Sequence, residues 1–218
     1  MAKKKLQRFA EMKTFANTFQ YMHFERGTDH QLKGKWNSEC FKNENPIVLE
    51  LGCGKAEYTI GLGEKYPNKN FIGVDLKGAR IWRGAKTALE KKLSNVAFLR
   101  SQIDFIDYCF AKDEANEIWI TFPDPQKEKA RKRLTHPIFL ERYKKIIQPN
   151  GILHLKTDNL ELHEYTLEVI AGNNHKLLDA TNDLYSSSRR DEIKSIKTYY
   201  EQKFLGQGKK ITYLKFQL

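Results

Sequence analysis

Two hydrophobic patterns alternate along the middle of the chain. Short runs of apolar, largely β-branched or aromatic residues occur at "PIVLEL" (46–51), "NFIGVD" (70–75), "VAFLR" (96–100), "EIWITF" (117–122) and "GILHLKT" (151–157). Runs of this length and composition read as strands. Between them, apolar residues recur every three or four positions over 56–66, 78–93, 103–111, 136–147 and 160–172, which predicts helices. Such alternation builds parallel βαβ units and an α/β class. The last third changes character: "HKLLDAT" (175–181), a polar Ser/Arg loop at 184–190 and the alternating "ITYLKFQL" (211–218) predict a late hairpin. The expected sheet has seven strands, mostly parallel, with an antiparallel C-terminal edge strand.

At 218 residues the chain suits one domain with a substantial core. The opening "MAKKKLQRFAEMKTF" is basic but lacks the apolar stretch of a secretory signal, and no apolar run reaches membrane-spanning length. Cys40, Cys53 and Cys109 are odd in number and widely spaced, with no Cys-x-x-Cys pair. That argues against a disulfide framework and a zinc site, so the expectation is a reducing, cytoplasmic setting without a metal.

The net charge of +11 changes the picture because it is uneven. Residues 1–26 hold 6 Lys/Arg against 2 acids, 127–145 hold 8 against 2, and 189–218 hold 8 against 3. The rest of the chain is net acidic. An acidic body with three basic segments predicts a polyanion-binding surface if those segments converge, and nucleic acid is the expected partner.

In an open parallel sheet, ligands bind beyond the carboxyl ends of the strands, so the residues where each strand stops carry the chemistry. The first strand ends "LELGCGKAEYT". Gly52 and Gly54 permit a tight turn and close backbone approach, with a helix N-terminus behind them. The second ends at Asp75, placed to accept from both hydroxyls of a ribose. Glycine turn plus ribose acid points to a nucleoside-containing cofactor. The dinucleotide fingerprint needs a third glycine where this chain has Glu57, and Glu50 adds negative charge where a pyrophosphate would want none. The same charge favours a cationic ligand, so S-adenosylmethionine (SAM) fits better than NAD.

The third strand leads into "RSQIDFI", where Asp104 is either an acceptor for an adenine amino group or an ordinary helix cap. The fourth runs into Pro123-Asp124-Pro125, a stiff loop presenting one carboxylate, then Lys127, Lys129, Arg131, Lys132 and Arg133. Asp124 can accept both N–H groups of a guanine Watson–Crick edge, with the cations as phosphate contacts beside it. The alternative is a surface turn before a solvated helix. The fifth strand places Asp158 on the same rim. Near the C-terminus "IKTYYEQKF" sets Thr198 and Glu201 around Tyr199 and Tyr200, which spacing alone reads as a capped helix turn.

Glu50-Leu-Gly-Cys-Gly54, Asp75, Phe122-Pro-Asp-Pro125 with its basic run, Lys156-Thr-Asp158 and Thr198-Tyr-Tyr-Glu201 occur in this order. Together they resemble the bacterial TrmB-type tRNA (guanine-N7)-methyltransferases, and "KKKLQRF" and "ITYLKF" extend the resemblance over nearly the whole chain. The resemblance implies a Rossmann-like class I SAM-dependent methyltransferase domain over 46–218, preceded by a basic arm and leading helix at 1–45. It implies methyl transfer to N7 of guanine 46 in the tRNA variable loop. By position, Glu50, Gly52, Gly54, Asp75, Asp104 and Asp124 become the SAM-binding set, with Asp124 also the catalytic residue. Lys127 or Lys129, Asp158 and the Thr198, Tyr199, Tyr200, Glu201 segment become substrate-binding. Monomer and homodimer both stay open.

The chain departs from the family pattern in three places. Gln126 stands where the family usually has tryptophan, and the basic segment is about two residues short, so Lys127 is the first choice for the substrate lysine and Lys129 the second. Ala56 occupies an often-glycine position, with the expectation that its φ stays negative. Rival readings are a SAM enzyme for an exocyclic amine, a non-catalytic RNA-binding protein on the same scaffold, and an NAD-dependent oxidoreductase. The missing second consecutive proline and stacking aromatic after Asp124, the intact Glu50/Gly52/Gly54/Asp75 set, and Glu57 count against them respectively.

Overall fold

The computed structural model describes residues 2–186 and 191–218, so the Ser/Arg loop expected at 184–190 falls partly outside the described residues, at 187–190. In chain order the elements are α1 (Ala2–Met12), β1 (Thr18–Gln20), β2 (Ile47–Leu51), α2 (Glu57–Lys65), β3 (Asn70–Asp75) and α3 (Gly78–Glu90). Then come β4 (Val96–Arg100), α4 (Ile106–Cys109), β5 (Ala115–Thr121), α5 (Pro137–Lys144), β6 (Ile147–Thr157) and α6 (Leu160–Gly172). The chain closes with β7 (Lys176–Thr181), α7 (Asp191–Lys194), α8 (Tyr199–Gly206) and β8 (Thr212–Gln217).

The strands form one sheet in the order β1-β4-β3-β2-β5-β6-β8-β7. Strands β1 to β6 pair in parallel, and β8 runs antiparallel to both neighbours, β6 and β7. Alternate residues along each strand feed two separate cores, as the two-residue side-chain period of a strand requires. Leu49, Leu51, Ile72, Val74, Ile118 and Ile120 pack with α4, α5 and α6 on one face. Val48, Phe71, Phe98, Trp119 and Tyr213 pack with α2 and α3 on the other. Strands buried on both faces explain why the sequence shows apolar runs rather than clean alternation.

Two features differ from the sequence expectation. Among the described residues the sheet has eight strands, because Thr18–Gln20 pairs in parallel with Phe98–Arg100. Three residues are too few to show a period, so the pattern could not reveal them. The helix expected at 103–111 is a 3-10 turn at Ile103–Phe105 followed by the single turn of α4. The antiparallel C-terminal strand is present at the far border of the sheet, with only β7 outside it. The basic N-terminal segment forms α1 and lies on α3: Trp82 Nε1 donates to Glu11 at 2.9 Å, and the Arg8 guanidinium sits 4.6 Å from the Trp82 ring centre. Strand order reverses between β2 and β5, so the crevice beyond their carboxyl ends is the topological switch point.

Candidate active site

The turn after β2 is built as the glycines suggested. Gly52 has φ +78 and Gly54 has φ +58, in the left-handed region that costs a side chain most. The Gly52 and Cys53 N–H groups both donate to the Val74 carbonyl, at 2.8 and 3.1 Å, folding the turn back onto β3. A Cβ on Gly54 would project into open space. Asp75 fastens the turn: Oδ2 accepts from Gly54 N at 2.9 Å and Oδ1 from Lys77 N at 2.7 Å. Each oxygen keeps a further lone pair for a ligand.

The expectation for Ala56 is overturned. Its φ is +62, a strained value for a residue with a Cβ. The backbone must turn left-handed there to aim α2 behind the glycine turn, and the fold makes room by placing Gly84 opposite. A Cβ on Gly84 would lie 2.5 Å from the Ala56 Cβ.

Two cavities meet at Gly52. The larger, of about 360 Å3, is bordered by Asp75, Gln102, Ile103 and Asp104. The smaller, of about 80 Å3, is bordered by Glu50, Gly54, Thr121, Thr198, Tyr199 and Tyr200. Asp104 is exposed in the 3-10 turn, whose N-cap, Gln102, makes no side-chain cap bond, so its carboxylate is not spent as a helix cap. Glu50 is 3% exposed. It accepts from the Thr59 N–H at 2.8 Å, from the Thr59 hydroxyl, and from the Thr121 hydroxyl at 2.5 Å. Burial pushes its pKa up to about 7, although the bonds from Thr121 and Thr59 pull the other way.

The Pro-Asp-Pro loop follows β5 between two residues of positive φ, Phe122 (+49) and Gln126 (+48). Phe122 borders the smaller cavity and Gln126 the larger. Asp124 is exposed between them and borders neither, and its Oδ1 accepts from Gln126 N at 3.1 Å. Of the basic run, Lys127 and Lys129 are exposed, and Arg131 and Lys132 stand at the larger cavity. Arg133 is a correction to the expected row of phosphate contacts. It is buried, donates from Nε to the Pro125 carbonyl at 3.0 Å, pairs with Glu161 and lies 4.5 Å from the Tyr165 ring centre.

On the far rim, Asp158 pairs with Lys209 at 2.8 Å. Thr198 caps α8 by accepting from Glu201 N at 3.1 Å, and Tyr199 N donates to Glu57 Oε2 at 2.6 Å. Tyr199 and Tyr200 are half exposed and form one wall of the smaller cavity. Glu201 lies behind that wall, 0% exposed, and borders neither cavity. Its Oε1 is 2.8 Å from Lys156 Nζ and accepts from the Tyr185 hydroxyl at 2.8 Å. Residue-type reasoning missed Thr59, Thr121 and Tyr185, and it took in Lys156 only as part of Lys156-Thr-Asp158, with no role of its own.

Acids at the ends of β2 and β3 beside a glycine turn at the switch point, with no third glycine, mark a Rossmann-like fold of the methyltransferase class. The solved structure of the 16S rRNA methyltransferase KamB shares this fold, with a TM-score of 0.65 at 13% identity over 83% of this chain and 91% of that one. A family described as "Putative methyltransferase" matches residues 44–214. The tRNA (guanine-N(7)-)-methyltransferase of Christiangramia forsetii is 52% identical over all of this chain and 99% of its own length. That of Bacteroides fragilis is 51% identical over all of this chain and 87% of its own. The chain belongs to the tRNA (guanine-N7)-methyltransferase family.

Proposed function

We propose that the protein methylates N7 of a guanine in tRNA, at guanine 46 of the variable loop, using SAM. The carrying observation is the pair of cavities joined at Gly52, with carboxylates bordering both and exposed cations beside the Pro-Asp-Pro loop. The chemistry of the residues fits the cofactor. Asp75 retains acceptor capacity for ribose hydroxyls, Asp104 has an uncommitted carboxylate for an adenine amino group, and Glu50 offers negative charge to a cationic amino acid end. SAM supplies an electrophilic sulfonium methyl.

Guanine N7 carries an in-plane lone pair and no proton, so the protein needs no general base. Its work is alignment and electrostatics. Asp124 accepts from the Watson–Crick edge of the base, and its negative charge favours the positive charge that develops on the purine. Tyr199 and Tyr200 wall the base, with Thr198 fixing their helix. Lys127, Lys129 and Asp158 hold the surrounding nucleotides, and the segment 1–45 contributes basic contacts to tRNA.

Incubation with methyl-labelled SAM and bulk tRNA, followed by digestion, tests this directly. The expected product is 7-methylguanosine, located at position 46 by strand cleavage at the modified base. Label on another atom or another nucleoside overturns the reading.

A further inference from the structure

Lys156 is 0% exposed at the end of β6, yet its ammonium touches three separate parts of the chain. Nζ lies 2.8 Å from Glu201 Oε1, and it donates to the carbonyls of Ile193 at 3.0 Å and Ile196 at 3.3 Å. It also stands 5.1 Å from the centre of the Tyr58 ring in α2. Ile193 and Ile196 belong to the segment that delivers the chain to α8, and Glu201 is in the first turn of α8. One buried cation therefore fixes both sides of Tyr199 and Tyr200. A charge removed from water is costly unless its partners satisfy it, so this cluster has little freedom to relax.

We propose that Lys156 is a positioning residue for methyl transfer. It seats the Tyr199–Tyr200 wall against the end of β2 without touching cofactor or base. This inference rests on the activity proposed above. The Thr198 cap, the Glu57 bond to Tyr199 N and the Tyr185 hydroxyl on Glu201 also hold the wall, and Lys65 reaches the delivering segment at Ser195, but Lys156 is bonded on both sides of the two tyrosines. The ribose and adenine contacts lie on the other side of Gly52. Losing Lys156 should therefore disturb the cavity where the base meets the cationic end of the cofactor, while the ribose and adenine contacts that carry most of the cofactor's hold are retained.

The test uses two variants. Lys156→Met combined with Glu201→Met replaces both ends of the ion pair with apolar groups of similar reach, a change that often preserves folding. Lys156→Arg keeps the charge but moves the donors. Both are expected to bind SAM within about threefold of wild type and to melt close to it, while kcat falls about tenfold or more. A merely structural pair predicts a kcat that follows the folded fraction. Wild-type kcat in either folded variant overturns the proposal. An inactive wild-type protein would instead count against the tRNA methylation reading, so the two failures are distinguishable.

Discussion

Arg133 Nε donates to the Pro125 carbonyl at 3.0 Å, so one cation of the basic run turns inward to brace the loop that carries Asp124. Hydrogen bonds to charged groups are worth roughly 1.5–3 kcal/mol. Arg133→Met is expected to lower the thermal midpoint and the methylation rate together, with little change in the salt dependence of tRNA binding. A salt slope reduced by a full unit, with the midpoint unmoved, would return Arg133 to the phosphate-binding set.

Asp124 is exposed and takes one backbone hydrogen bond, so its removal should leave the fold intact. Loss of one charge-assisted bond in the transition state, about 1.5–3 kcal/mol, corresponds to a rate loss of at least about tenfold. Asp124→Ala is expected to retain measurable SAM affinity and lose most turnover. Unchanged turnover contradicts its role.

A cofactor held beside Glu50 is expected to bind with a pH dependence. Burial raises its pKa to about 7 from an ordinary 4.5, so the folded protein holds this proton over a range where the unfolded chain has released it. Its contribution to stability is present below pH 4.5 and is lost as pH rises through about 7. A cationic ligand favours the ionised form. SAM affinity should therefore rise between about pH 6 and 7.5, by at most about tenfold per pH unit, with proton release measurable by calorimetry in two buffers. Glu50→Gln should flatten that dependence.

If about six phosphates are neutralised, log affinity for tRNA should fall against log salt with a slope of about −4 to −5. Lys127→Ala and Lys129→Ala each test one exposed cation, and the true phosphate ligand should reduce the slope by about one. The other variant should leave it unchanged. A flat wild-type salt response would contradict the electrostatic footprint.

Gly84→Ala brings a methyl to 2.5 Å from the Ala56 Cβ and 3.0 Å from the Lys55 carbonyl. Overpacking of this kind costs about 1–3 kcal/mol, and here it pushes on the residues following the glycine turn. The variant should melt lower and bind SAM more weakly. Adding Ala56→Gly removes the opposing methyl and relieves the left-handed strain, and partial recovery of both readouts is expected.

The parallel strands were legible because burial on both faces leaves long apolar runs, and the glycine turn because Gly52 and Gly54 need positive φ. Thr18–Gln20 was not, since a three-residue strand has no measurable period. Arg133 was misplaced, and the burial of Glu201 was unforeseen, for a related reason. Charged residues are usually solvated, and only long-range partners such as the Pro125 carbonyl and Lys156 turn these two inward. The left-handed Ala56 was hidden because its tolerance depends on a glycine one helix away.

The place of β8 has a consequence for how the polypeptide matures. β6 must accept its outer neighbour from a segment 55 residues further on, Thr157 against Thr212, and β7 docks on that same late arrival. During synthesis the nascent β6 border stays open until Thr212–Gln217 has emerged, and pairing across such a span is slow. Because Thr198, Tyr199 and Tyr200 come last in chain order among the residues bordering either cavity, the tyrosine wall leaves the ribosome after the rest of the crevice.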